Sequence, residues 1–135
     1  MSAFVDTSVL IRYLTGDPPE MLDAARRIVD ETERLMLTDV VLPETAFVLL
    51  SFYAVPREAI VDSLVDLLCK NNIAMHGLDK DVVIQALLLC RPSGRVSFAD
   101  AMLWAVARSA AGSEPATIFS FDQRFPSRGV DVRAG

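Results

Sequence analysis

Asp6, Glu44, Asp100 and Asp122 are acids set among apolar neighbours. Asp6 follows Ala3-Phe4-Val5, and Asp122 follows Ile118-Phe119-Ser120-Phe121. Glu44 stands between Val40-Val41-Leu42 and Ala46-Phe47-Val48-Leu49-Leu50, and Asp100 opens an apolar stretch through Met102, Leu103, Trp104 and Val106. An ionised carboxylate is very costly to bury without a partner. Four of them in core-like surroundings ask for a common reason, and a shared divalent-metal site supplies one. Carboxylate oxygens are the ligands that hard cations such as Mg²⁺ or Mn²⁺ prefer. A pair of such ions, roughly 3.5–4 Å apart, suits in-line displacement at phosphorus: one activates water and the other steadies the leaving oxygen.

Each acid also has a plainer role. Ser97-Phe98-Ala99-Asp100 fits a capping box, in which the first and last residues satisfy each other's backbone N–H groups. Asp6 and Asp122 can start turns. Glu44 is the hardest to place in solvent, because apolar residues flank it at three and four positions. The set carries the expectation, not any one member. Thr7 and Ser8 read first as helix caps, and Ser8 also suits a metal-bound water or a phosphate. Ser120 shares a strand face with Asp122 if side chains alternate, so it can orient a carboxylate or a bound water. Arg12 and Arg124 follow the acid-bearing segments and read as solvated charges within reach of a phosphate. His76, after an apolar strand, reads as structural, and Phe47, Phe52 and Trp104 read as helical core.

The elements that must position these residues alternate between short apolar runs and helix-period stretches. Ala3 to Val5 predicts a strand, followed by a helix through Val9-Leu10-Ile11 to Leu14. Gly16-Asp17-Pro18-Pro19 predicts a break with Asp17 as cap, then a helix with Met21, Leu22, Ala25, Ile28 and Val29 on one face. Leu35 to Thr38 is a second strand, Val40 to Ala54 a helix, and Pro56 starts another carrying Ile60, Leu64 and Leu68. Ile73 to Met75 is a third strand, Asp79 caps a helix ending at Pro92-Ser93-Gly94, and Ser97 opens a helix to Gly112. Thr117 to Phe121 is a fourth strand, with Val130 to Val132 a candidate fifth. This order indicates an α/β fold, three layers (α/β/α), around a mostly parallel sheet of four to five strands. In such sheets ligands bind beyond the carboxyl ends of the strands, where Asp6 and Asp122 stand, and the helix starts bring Glu44 and Asp100 to the same edge.

With 135 residues, 52% of them hydrophobic, the chain reads as a single domain over residues 1–135. No apolar stretch reaches the roughly 18 residues of a membrane span, and no signal peptide is visible, so a cytoplasmic setting is expected. Cys69 and Cys90 both lie in apolar helical patterns and read as reduced core residues. With two cysteines and one histidine, structural zinc spacings are excluded, so any metal must take oxygen ligands. The formal charge of −5 counts against a nucleic-acid partner. If the four acids surround metal, however, 14 acids face 13 bases, and bound cations reverse the local sign.

Asp6-Thr7-Ser8-Val9-Leu10-Ile11, Glu44 in its apolar helix, Ser97-Phe98-Ala99-Asp100-Ala101 and Ser120-Phe121-Asp122-Gln123-Arg124-Phe125 together resemble the PIN-domain nucleases. The length resembles the VapC-type toxins of bacterial toxin–antitoxin pairs. The resemblance implies Mg²⁺- or Mn²⁺-dependent endoribonuclease action, with Asp6, Glu44, Asp100 and Asp122 as acidic metal ligands and Ser8 and Ser120 as lesser members. It also implies a homodimer, an RNA substrate, products ending in 3′-hydroxyl and 5′-phosphate, and a cognate antitoxin that occludes the cleft. Two other readings stay open. One is a phosphatase or phosphotransferase with Asp6 as nucleophile; the other is a catalytically inactive PIN-like interaction module whose acids cap helices.

Overall fold

A computed structural model describes residues 2–135. Three strands, β1 (Ala3–Phe4), β2 (Leu35–Leu37) and β3 (Ile73–Met75), form a parallel sheet in the order β1-β2-β3. The register sets Ala3 beside Leu35, and Leu35 beside Ile73. All three residues of β2 are buried, as expected for a central parallel strand covered on both faces. Parallel neighbours need helical crossovers, and these are α1 (Thr7–Thr15) and α2 (Leu22–Arg26) from β1 to β2, then α3 (Val41–Ser51) and α4 (Arg57–Leu68) from β2 to β3. The end of α2 continues as a π-helical turn over Arg27–Glu31. There Asn72 Nδ2 donates to the carbonyls of Val29 (2.8 Å) and Thr32 (2.9 Å), tying that turn to the start of β3.

After β3 come α5 (Lys80–Cys90) and α6 (Phe98–Ser109), which form the most extensive helix pair in the molecule. The linker between them is clamped by Arg57, whose guanidinium donates to the carbonyls of Cys90 (3.1 Å) and Val96 (3.2 Å) and lies over the Phe98 ring. The core runs through Leu10, Leu37, Leu42, Leu64, Val83 and Trp104, joining helices from both sides of the sheet. The α/β class, the parallel strands and the flanking helices are those expected from the sequence.

The sheet itself differs in one respect. Strands β4 (Thr117–Phe119) and β5 (Asp131–Arg133) pair in parallel with each other but not with the first three. The five expected strands thus form two ladders. Strand β1 is only two residues long and half exposed, so it offers a short edge for extension. Two burial expectations also fail. Cys90 is buried but Cys69 is exposed, because α4 ends at Leu68 and Cys69 caps it outside the apolar stripe. Phe47 and Phe52 are exposed, and only Trp104 of the three aromatics lies in the core. No helix among the described residues is long and apolar enough to cross a membrane.

Candidate functional site

Strand β1 ends at Phe4, and Asp6 turns the chain into α1. Its backbone is extended (φ −90°, ψ 155°), and its carboxylate is the helix cap, a role the sequence pattern gave to Thr7 or Ser8. Oδ2 of Asp6 accepts from the Ser8 backbone N–H at 3.3 Å and from the Ser8 hydroxyl at 2.7 Å. Those bonds favour the ionised form. The Ser8 hydroxyl, then its backbone N–H, hold the Asp6 carboxyl below its ordinary value of 3.8, against a smaller opposing effect of desolvation. A depressed carboxylate pKa keeps the charge present down through the ordinary range and loses it only as pH falls through the lower folded value. Ser8→Ala is therefore expected to move the Asp6 titration midpoint up toward 3.8, read from the carboxyl-carbon shift by NMR. An unchanged midpoint would contradict this account of the cap.

Glu44 lies in the first turn of α3. It is exposed, contrary to the expectation from its apolar neighbours. The reason is visible in the helix. Leu42, Thr45, Ala46 and Leu49 make the buried stripe at helical spacing, and Glu44 falls outside it. Apolar side chains continue round the outer face of α3, where Val40, Phe47 and Leu50 are exposed. The apolar run around Glu44 thus covers two faces of one helix.

Asp6 and Glu44 meet in one open cavity of about 580 Å³, whose wall also includes Thr7, Ser8, Arg12, Asp17, Phe52 and Tyr53. Arg12 donates to the Ser8 carbonyl at 3.0 Å. Asp17 does not cap a helix as predicted; its carboxylate accepts from the Tyr53 hydroxyl at 3.0 Å. Thr7 is 6% exposed, and its buried hydroxyl oxygen has no hydrogen-bond partner, nor does the buried Nε of Arg12.

The other two acids stand apart from this cavity's lining. Asp100 is half-buried in the first turn of α6, where its backbone N–H donates to the Ser97 hydroxyl at 3.0 Å. That is one half of the capping box the Ser97–Asp100 spacing suggested: Ser97 caps the helix, and among the described residues no return bond runs from its N–H to the Asp100 carboxylate. Asp122 is exposed and closes its own turn, with Oδ1 accepting from the Arg124 N–H at 2.9 Å. Ser120 braces that turn by accepting from the Asp122 backbone N–H at 3.1 Å; its hydroxyl bonds the backbone, not a carboxylate. Asp122 and Ser120 line a second cavity of about 390 Å³. Among the described residues no three His, Cys, Asp or Glu side chains stand close enough to hold a metal ion together. The four acids were expected along one edge, but Asp6 follows a strand of the first ladder and Asp122 a strand of the second, so no common sheet sets their spacing. None of the four is fully buried.

Glu44 also borders a third cavity, an apolar groove of about 620 Å³ between α3 and α6 lined by Val40, Pro43, Phe47, Met102, Leu103 and Val106. His76 is exposed and meets Phe4 edge to face at 5.4 Å, away from the acids' cavity lining.

The model of the PIN domain family matches residues 3–130. The chain belongs to the PIN domain family. No curated protein sequence matches it. PIN domains as a class are nucleases that use divalent metal such as Mg²⁺ or Mn²⁺. The donor chemistry of the cavity fits such an ion. Mg²⁺ is commonly bound through one or two carboxylates, keeping waters and substrate phosphate as its remaining ligands. Asp6 and Glu44 are two carboxylates lining one open space, one of them held ionised.

Proposed function

We propose that this PIN domain is a metal-dependent endoribonuclease whose chemistry centres on the cavity shared by Asp6 and Glu44. That shared cavity is the observation that carries the reading. Asp6 and Glu44 would hold the ion, and Asp100 and Asp122 are proposed as the further acids of the set. When bound, Mg²⁺ or Mn²⁺ supplies a Lewis acid for the phosphate and a water of lowered pKa. Ser8 fixes the Asp6 carboxylate and keeps it charged. Arg12, in the same wall, offers a guanidinium to the anionic strand. An ion held by the two acids, together with Arg12, would favour a phosphodiester over a neutral substrate.

A site of this kind must stabilise the native state when the ion binds. Titrating Mn²⁺ into the metal-free protein is expected to raise the melting temperature, with stabilisation of about 2.7 kcal/mol at a hundredfold excess over Kd. The doubly substituted Asp6→Asn, Glu44→Gln protein is expected to lose the effect. A wild-type melt indifferent to Mn²⁺, or an equal rise in the double variant, would contradict the proposal.

The narrower reading is a VapC-type toxin that acts as a homodimer and is restrained by a cognate antitoxin. The apolar groove between α3 and α6 supports it, since a protein segment seated there would lie against Glu44 and so border the acidic cavity. This reading predicts a short adjoining reading frame whose product co-purifies with the chain and suppresses its RNA cleavage. Cleavage with no such neighbour would point to RNA processing instead.

A further inference from the structure

Among the described residues, Phe52 is the one large apolar side chain that is both strongly exposed, at 76%, and part of the wall around Asp6 and Glu44. An isolated exposed phenyl needs no explanation. This one stands on a well-bonded backbone. The Phe52 N–H donates to the Val48 carbonyl at 2.9 Å as the last bond of α3, and the chain then reverses through Ala54 at φ 51°. That left-handed conformation is unfavourable for a residue with a Cβ. The reversal is closed by Val55 N–H donating to the Leu49 carbonyl at 3.0 Å. Next to Phe52, Tyr53 is tied by its hydroxyl to Asp17, across the cavity wall, at 3.0 Å. Backbone bonds on both sides thus fix the position of the Phe52 backbone in the cavity wall, from which its exposed ring projects.

Phe52 stands eight residues beyond Glu44, about 12 Å along the helix axis. A phosphate drawn to Arg12 and to an ion at the two carboxylates would lie short of the ring, leaving the ring to a neighbouring base. We infer that Phe52 is the stacking platform of this site: it receives the nucleobase next to the phosphate drawn to Arg12 and to the ion that Asp6 and Glu44 would hold, and so positions a single strand for cleavage. This rests on the ribonuclease reading. A single strand fits better than a protein segment here, because the wall is otherwise mostly polar and charged, whereas the apolar groove lies on the other side of Glu44. Stacking on a phenyl face tolerates any base, so the ring sets affinity and register without dictating sequence.

The test compares wild type, Phe52→Leu and Phe52→Tyr on a single-stranded oligoribonucleotide with Mn²⁺. Phe52→Leu is expected to raise KM by roughly ten- to hundredfold with kcat little changed, and Phe52→Tyr to restore the wild-type KM. In an oligonucleotide carrying one abasic position at the stacked base, wild type and Phe52→Leu should have equal KM. Binding gives a second readout: with Mg²⁺ and a non-hydrolysable analogue of the strand, the fluorescence of Phe52→Trp should be quenched, and that of wild type, whose one tryptophan is the buried Trp104, should not. Wild-type cleavage with an unchanged KM in Phe52→Leu overturns the stacking role alone. Failure of the wild type to cleave RNA overturns the ribonuclease reading and the platform with it. A Phe52→Leu protein of wild-type KM that sediments at lower mass assigns the ring to contact between copies, and also overturns the proposal.

Discussion

Asp6→Asn is expected to reduce Mn²⁺-dependent RNA cleavage by at least about a hundredfold, the upper end of what losing even an outer-shell partner of a metal ligand costs. Its melting temperature should stay close to that of wild type. The two halves of this expectation have separate causes. Asn caps a helix about as well as Asp, and its side-chain oxygen can still accept from Ser8, so the entry into α1 is retained. What disappears is the charge that the Ser8 bonds keep in place, and with it the attraction for a hard cation. Glu44→Gln should show the same division from the other wall of the cavity. If the two carboxylates hold one ion, the double variant should be little worse than either single one, since residues acting as a unit are not additive. Initial rates on a labelled RNA, set beside thermal melts of the same preparations, check both halves. Activity within a few-fold of wild type in Asp6→Asn would remove Asp6 from the mechanism.

Trp104→Ala is expected to destabilise the fold by about 3–5 kcal/mol, the usual range for truncating a buried large aromatic. Set against a typical total of about 5–15 kcal/mol, that is enough to leave the protein partly unfolded on warming. Trp104 is 2% exposed on α6, and its indole N–H donates to the Arg128 carbonyl at 2.8 Å. The Arg108 guanidinium lies 5.2 Å from its ring centroid. One side chain therefore fills the core and ties the segment between the Asp122 turn and β5 to the helix that carries Asp100. Truncation leaves both a cavity and an unpaired carbonyl. Trp104→Phe keeps most of the packing and loses the bond, so it should fall between wild type and Trp104→Ala in urea unfolding. A Trp104→Ala protein as stable as Trp104→Phe would mean the hydrogen bond, not the packing, anchors this segment. Together with Asp6→Asn, the pair separates scaffold from site: one should lose stability, the other activity.

Much of this organisation could be read from the residues. Leu35 and Ile73 begin strands where short apolar runs predicted them, and Ser97 caps α6 with the spacing that its neighbours suggested. What the sequence hid has physical causes. Glu44 sat in an apolar run that proved to cover two faces of α3, although the spacing of Leu42, Thr45, Ala46 and Leu49 held the signal that it lies off the buried stripe. Phe52 continues that spacing three residues past Leu49, yet it is exposed because α3 has ended and the chain turns away through Ala54. The separation of β4 and β5 from the first sheet depends on hydrogen bonds between distant segments, which no local pattern encodes. Asp122 stands in its own turn, with its carboxylate engaged by the Arg124 N–H two residues on.

The most direct measurement is cleavage of a labelled single-stranded RNA by the purified wild-type protein, with Mn²⁺, with chelator, and with Mn²⁺ restored. The shared cavity of Asp6 and Glu44 predicts fragments bearing 5′-phosphate in the first and third reactions and intact RNA in the second. Intact RNA in all three, or equal cleavage under chelator, would contradict the assignment of this cavity as a metal-dependent nuclease site.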